Sequence, residues 1–189
     1  MPLRLTERQL SKLLGHREMF EHVERLTGVP WRAMAAVWYR ESFSVAVPKT
    51  PGGQFQFDPP PPDHQLRWLL HTFTQLEPAE IEQLIKRGIC DFEAAALFAA
   101  CHLRTKVRPV VTPDASDQLI IDALWGYNGR AYGSADHSPY VMSGLDAEHD
   151  GMIIRGTIPD QAGGRKRIAT VDRRPGAYVV YRQLRDATS

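Results

Sequence analysis

The sequence predicts a mainly α-helical domain with a minor β component, an α+β chain in which helices dominate. Its 189 residues are enough for a single domain with a core of its own. Apolar residues recur at helical spacing over most of the chain, and prolines, glycines and capping residues divide them into segments of ordinary helix length. Residues 44–57, which contain two prolines and two glycines, depart from this pattern and indicate a small irregular hairpin or flap.

The first helical stretch covers residues 5–26. Its spacing predicts one amphipathic helix or two, with Thr6 as N-cap, Gly15 as the point of a break and Gly28 as the end. Four later segments have helical spacing and begin at aspartate or proline, and a final helix follows Pro175. These five predicted helices are residues 63–76, 78–87, 91–103, 114–125 and 176–184. Residues 146–172 contain too many glycines, aspartates and arginines for a long helix.

A strongly apolar helix follows Gly28 and forms the predicted centre of the domain. Pro30 suits a first helical turn, and residues 31–39 are nearly all apolar, so this helix should be buried on most faces. Glu41 lies at its end. Burial and the negative end of the helix dipole should both raise the pKa of Glu41, and a carboxyl of raised pKa donates protons near neutral pH. The alternative is an exposed Glu41 or one paired with an arginine, although Arg40, its direct neighbour, cannot face it on a helix.

The segment after the glycines alternates glutamine and phenylalanine. In an extended chain Gln54 and Gln56 share one side and Phe55 and Phe57 the other. Either the aromatic pair faces the core and the glutamines face a groove, or the reverse. Asp58 comes next and is either a second reactive carboxylate or a turn residue before the proline run.

Residues 125–144 interleave aromatic side chains with glycine, asparagine and serine. Rings among small polar residues suit a carbohydrate groove, because sugar rings stack on aromatic faces while their hydroxyls need hydrogen-bond partners. An aromatic turn that only caps the core is the alternative. The aromatic residues of this stretch are Trp125, Tyr127, Tyr132 and Tyr140.

Three short motifs, in this order, resemble those of the soluble lytic transglycosylases and goose-type lysozymes. They are Arg40-Glu41-Ser42, then Gly53-Gln54-Phe55-Gln56-Phe57-Asp58, then Tyr127-Asn128-Gly129. The family motifs are Glu-Ser, usually Gly-Leu-Met-Gln, and usually Ala-Tyr-Asn-Ala-Gly. This chain departs from the second and third, and its variant is more similar to muralytic domains of phage and bacterial cell-wall enzymes. The resemblance covers residues 27–184 and implies that the chain is a single lysozyme-like domain.

The resemblance implies a peptidoglycan-cleaving enzyme without a cofactor. Glu41 would be the general acid and then the base of a lytic transglycosylase, with Ser42 and Gln56 orienting the substrate's acetamido group or the acid. Gln54 would contribute to the groove. Tyr127 would position the sugar, Asn128 would support the backbone, and Tyr140 would be a second groove tyrosine. Two alternatives remain open: a hydrolysing muramidase that uses Asp58 with Glu41, and a non-catalytic wall-binding module.

Charge is distributed unevenly although the net charge is only +1. Residues 151–189 carry eight Lys or Arg against three Asp or Glu, net +5, whereas the other residues carry fifteen against nineteen, net −4. The basic end faces either solvent or an anionic surface such as a cell wall. Nucleic acid is not an expected partner, because the chain has no basic amphipathic helix and no known nucleic-acid-binding signature.

The patterns of cysteine, histidine and hydropathy restrict the class of protein further. Cys90 and Cys101 are too few for a disulfide framework, and Cys101 lies in an apolar run typical of a buried, inert thiol. The seven histidines are scattered, so we predict no metal site. No apolar stretch reaches the roughly 18 residues of a membrane span, and the first residues do not resemble a signal peptide. We expect synthesis in the cytoplasm and action on the cell wall after lysis, or after delivery by a phage particle or a secretion system.

Overall fold

The computed structural model describes residues 2–42, 55, 57, 60–159 and 165–189. These residues form a mainly helical domain, which confirms the predicted dominance of helix. The helices are α1 (Glu7–Gly15), α2 (Arg17–Thr27), α3 (Trp31–Ser42), α4 (Asp63–Phe73), α5 (Pro78–Arg87), α6 (Phe92–Arg104), α7 (Asp117–Tyr127), α8 (Pro139–Met142) and α9 (Ala177–Ala187). The strands are β1 (Ile153–Pro159) and β2 (Arg165–Val171).

Local capping residues set the boundaries of the first two helices. The Thr6 hydroxyl accepts from the Gln9 backbone N–H at 3.3 Å, and the Gln9 side chain accepts from the Thr6 N–H at 2.8 Å. The helix breaks at His16, directly after Gly15, and α2 ends at Gly28 with a φ of 72°. The predictions for Thr6, Gly15 and Gly28 are therefore confirmed.

Three predicted helix boundaries were wrong by three residues: the start of the seventh helix, the end of the fourth, and the end of the last, which extends to Ala187 and not Leu184. Side-chain hydrogen bonds explain the first two. The seventh helix begins at Asp117 and not at Asp114, because the Ser116 hydroxyl caps it by accepting from the Leu119 N–H at 3.3 Å. The fourth helix ends at Phe73, three residues early, where the Thr74 hydroxyl donates to the Leu70 carbonyl at 2.7 Å. The four-residue α8 was not predicted at all.

Helix α3 is the centre of the core, as predicted. It packs against α2, α6, α7 and α9, and its residues from Ala33 to Val37 are almost completely buried. The predicted packing of the last helix is confirmed, because Tyr178, Val179 and Tyr181 are all buried. Cys101 is buried in α6, and burial raises the pKa of its thiol to about 12, which leaves it inert.

The described β-structure is an antiparallel hairpin of β1 and β2, paired from Ile153 with Val171 to Pro159 with Arg165. The sequence predicted no element there. Its hairpin prediction was for residues 44–57, and these lie outside the described residues except for Phe55 and Phe57. The sequences of β1 and β2 show no clear apolar and polar alternation, and apolar residues at the open end of the hairpin, Ile153 and Val171, are exposed.

In the part of the chain that the structure describes, no helix has both the length and the apolar character needed to cross a bilayer.

Candidate active site

Glu41 lies in the last turn of α3, where two cavities meet. One cavity measures about 470 Å³ and the other about 410 Å³, and both Glu41 and Asn128 line each of them. We call the larger cavity the apolar half, because its lining includes Phe55, Phe57, Pro60, Leu66, Phe98 and Tyr127. We call the smaller one the charged half, because its lining includes Arg40, Tyr132, Tyr140, Arg155 and Arg174. We call the two cavities together the groove, and Glu41 and Asn128 are the residues that they share.

Burial raises the pKa of Glu41 to about 7, against the weaker lowering effects of the Tyr140 hydroxyl and of the charges on Arg40 and Arg174. The shift has the direction that the apolar helix indicated. Among the described residues, no basic side chain forms an ion pair with Glu41. The carboxyl is therefore half protonated near neutral pH, as a general acid requires.

Two tyrosines flank the acid. Tyr127 ends α7 and Tyr140 lies in α8, and both rings are packed around Glu41. Burial, together with the charge of Glu41, raises the pKa of both phenols well above the ordinary value. Neither hydroxyl has a hydrogen-bond partner of good geometry among the described residues, although that of Tyr140 lies close enough to Glu41 to lower its pKa. Buried hydroxyls without partners are available to a bound ligand.

A buried ion cluster holds the end of α3. Arg40 forms an ion pair with Asp172, both side chains are 2 % exposed, and Arg40 also donates to the Pro175 carbonyl at 3.1 Å. Arg174 donates to the other Asp172 oxygen at 3.1 Å. The cluster joins the helix that carries Glu41 to the chain that follows β2. It therefore limits where the carboxyl of Glu41 can move.

The loop after α7 has an unusual backbone. Asn128 ends the helix, and four of the next five residues have positive φ: Gly129 at 72°, Arg130 at 56°, Tyr132 at 69° and Gly133 at 78°. Arg130 and Tyr132 are strained there, since residues with a Cβ rarely adopt this region. The Tyr132 hydroxyl accepts from the Arg155 N–H at 2.9 Å, so the strained loop is bonded to β1.

His102 completes the wall of the apolar half. Burial, with the charge of Lys106, lowers the pKa of His102 to about 4, so the imidazole is neutral at neutral pH. Its ring meets those of Tyr127 and Phe57 edge to face, at centroid distances of 5.5 and 6.4 Å. His102 therefore acts as a packing group that supports Tyr127.

The structure brings together four of the predicted site residues: Glu41, Tyr127, Asn128 and Tyr140. Ser42 ends the same helix as Glu41, but its side chain is outside the described part. Gln54, Gln56 and Asp58 also lie outside the described residues, so their roles stay predictions. Phe55, between the two glutamines, is buried, and both Phe55 and Phe57 line the apolar half of the groove.

Sequence reasoning missed several groups at the site, namely Asp172, His102, Phe98, Arg155 and Arg174. The excess of basic residues after residue 151 was visible, but not their position beside Glu41. Asp172 carried no signal, because its partner Arg40 is 132 residues away. Tyr132 was noted in the aromatic stretch without a role. Among the described residues there is no cluster of three or more potential metal ligands.

Comparisons with protein-family models, with curated proteins and with solved structures find no match to this chain. The geometry and chemistry of the site are therefore the basis for assigning a function.

Proposed function

We propose that this chain is a lysozyme-like lytic transglycosylase, which cleaves peptidoglycan glycan strands between N-acetylmuramic acid and N-acetylglucosamine. The observation that carries the proposal is Glu41, a carboxyl with a pKa of about 7 where two cavities meet. A polymer lying across both cavities places one of its internal bonds beside this acid. A binding module needs no such acid, so the position of Glu41 favours the enzyme.

In the proposed reaction Glu41 acts twice. Its protonated carboxyl gives a proton to the glycosidic oxygen, and the bond between that oxygen and C1 of the muramic acid breaks. The substrate's own acetamido group stabilises the cationic C1. The Glu41 carboxylate then removes the proton of the C6 hydroxyl, whose oxygen bonds to C1 and closes a 1,6-anhydro ring. Glu41 regains its proton, and no water is consumed.

The side chains around Glu41 suit these steps. The hydroxyls of Tyr127 and Tyr140 offer hydrogen bonds to the sugar or to its acetamido group. The apolar half presents aromatic and proline faces to a sugar ring. Among the described residues that line the two halves, Glu41 is the one carboxylate, and a transglycosylase needs one. Asp58 could serve as a base for water, so a hydrolysing muramidase is the alternative.

The proposal is tested by digesting purified peptidoglycan and identifying the released muropeptides by mass spectrometry. We expect 1,6-anhydro products, each lighter by one water than its hydrolysed counterpart. Glu41→Gln should reduce their release by about 10²–10⁴-fold, because the proton donor is lost. Glu82→Gln is the matched control, since Glu82 is an exposed glutamate that pairs with Arg67 and lines neither half of the groove.

The products also separate the alternatives. Hydrated reducing ends that depend on both Glu41 and Asp58 would make the protein a hydrolase. No release, in conditions where a control muramidase is active, would overturn enzymatic cleavage, and cosedimentation with intact sacculi would then test a wall-binding module. Action on the wall also requires delivery across the membrane, which we propose occurs by lysis, in a phage particle or through a secretion system.

A further inference from the structure

The two halves of the groove differ in the kind of substrate group that they can bind. The apolar half offers rings and aliphatic side chains, which match the faces of sugars. The charged half contains three arginines, Arg40, Arg155 and Arg174, within one cavity of about 410 Å³. A neutral glycan has no group that needs three arginines.

The charges of this half do not cancel. Asp172 is the acidic partner of both Arg40 and Arg174, and one carboxylate cannot neutralise two guanidinium groups. The side chain of Arg155 has no hydrogen-bond or ion-pair partner among the described residues, and it is exposed. Counting only the described residues that line the charged half, together with Asp172, the excess is two positive charges when Glu41 is protonated. On the same count one positive charge remains when Glu41 is ionised.

Backbone hydrogen bonds fix the position of Arg155 in the charged half. The Arg155 N–H donates to the Tyr132 hydroxyl at 2.9 Å, and that hydroxyl lies 3.4 Å from the Arg155 carbonyl oxygen. Tyr132 belongs to the strained loop next to Asn128, which itself lines both halves. The strand and the loop therefore fix the origin of the Arg155 side chain at the edge of the cavity. Arg174 lies in the same cavity, with its side chain 51 % exposed.

We propose that the charged half is an anion subsite in which Arg155, with Arg174, binds a carboxylate carried by the substrate strand. This inference rests on the proposed function. Guanidinium groups bind carboxylates through paired, charge-assisted hydrogen bonds. Two sources on a peptidoglycan strand have this chemistry: the carboxylates of the peptide stem, and the lactyl carboxylate of a muramic acid without a stem. The subsite makes the protein selective for acidic strands, and it fixes which side of Glu41 the acidic substituent occupies.

The test compares four forms of one substrate preparation: native peptidoglycan, the same material with its carboxylates amidated, stem-free glycan, and amidated stem-free glycan. We measure kcat/KM on each and take the ratio of the acidic to the amidated form. This ratio does not depend on how much of a variant is folded. We expect the wild type to prefer an acidic form by about tenfold, as one charge-assisted contact provides. A preference for native over amidated peptidoglycan identifies the peptide stem as the source of the carboxylate. A preference for stem-free over amidated stem-free glycan identifies the lactyl group.

Two arginine variants locate the effect. Arg155→Gln should bring the ratio close to one, and Arg155→Lys should restore part of it. Arg167→Gln is the matched control, because Arg167 is an exposed arginine of the same hairpin that lines neither half. It should keep the wild-type ratio.

The outcomes separate the two proposals. If the wild type cleaves acidic and amidated forms equally, the anion subsite is overturned while the proposed function stands. The subsite is also overturned if Arg155→Gln keeps the preference, or if Arg167→Gln loses it as well, which would indicate a general effect of hairpin charge. If no form of the substrate is cleaved, the proposed function fails and the subsite falls with it.

Discussion

Glu41 and Asp172 are two carboxylates beside the same two arginines, yet their pKa values move in opposite directions. Burial raises the pKa of Glu41 to about 7, and the charges of Arg40 and Arg174 oppose it only weakly. Burial also acts to raise the pKa of Asp172, but the charge and hydrogen bond of Arg40, with those of Arg174, outweigh it and hold that pKa below the ordinary value.

Hydrogen-bond geometry explains the difference. Asp172 receives direct bonds from Arg40, from the Arg174 side chain and from the Arg174 N–H, whereas Glu41 receives no ion pair from any described residue. Since Asp172 holds both arginines, they act on Glu41 only through space. Asp172, by binding the nearby cations, therefore keeps Glu41 able to carry a proton.

The largest expected effect comes from removing the charge of Asp172. Asp172→Asn leaves Arg40 buried opposite a neutral group, and breaking a buried pair costs about 3–5 kcal/mol. We expect a loss of that size in the free energy of unfolding, measured by urea denaturation at pH 7. Asp146→Asn is the matched control, because Asp146 forms an exposed pair with His149 at 2.7 Å and should change stability little. Equal effects of both variants would show that the buried cluster does not hold the fold.

The next largest effect is a gain in the free energy of unfolding, and it concerns Glu41. Its pKa is higher in the folded protein than its ordinary 4.5, so ionising it opposes folding. The loss of stability caused by ionising Glu41 is absent below pH 4.5, grows as the pH rises towards 7 and is complete above pH 7. Glu41→Gln removes it, so the variant should be more stable than the wild type at pH 8, by up to about 3 kcal/mol, and close to it at pH 4. Denaturation at several pH values measures the difference, and a pH-independent difference would contradict the raised pKa.

Glu41 and Asp172 also show which parts of the structure could be predicted from the sequence. The raised pKa of Glu41 was predicted because its signal is local: an apolar helix, a proline at its start and a carboxylate at its end. Thr6 and Gly28 were predicted for the same reason, since capping bonds join residues close in the chain. Asp172 was missed because its partner is distant, and the β1–β2 hairpin because its two strands lack a clear alternation. Local patterns thus predicted most of the helices and the raised pKa of Glu41, while the long-range contacts around Glu41 could not be predicted.

A smaller effect distinguishes the hydroxyls near Glu41 from those that hold the fold. Tyr140→Phe removes a buried hydroxyl that has no hydrogen-bond partner of good geometry among the described residues, so stability should change little, while the pKa of Glu41 should rise slightly. Activity should fall about tenfold if that hydroxyl binds the substrate. Tyr178→Phe should lower stability and leave activity unchanged, because the Tyr178 hydroxyl donates to Asp117 at 2.8 Å and lines neither half of the groove. It should lose about 1 kcal/mol of stability and keep its activity. Thermal denaturation and muropeptide release measure both, and an unchanged activity in Tyr140→Phe would remove its hydroxyl from the reaction.

The smallest expected effect is a change in the pH dependence of cleavage. A general acid must be protonated, so kcat/KM should fall with rising pH around the Glu41 pKa of about 7. The charge of Arg174 lowers that pKa, so Arg174→Gln should raise it and move the falling limb to higher pH, changing the rate at pH 7 by less than about tenfold. Arg173→Gln is the matched control, since Arg173 is exposed and lines neither half. The position of the limb is the relevant measure, because its height also changes if Arg174 binds substrate. A limb that moves to lower pH in Arg174→Gln would contradict a through-space action of this arginine on Glu41.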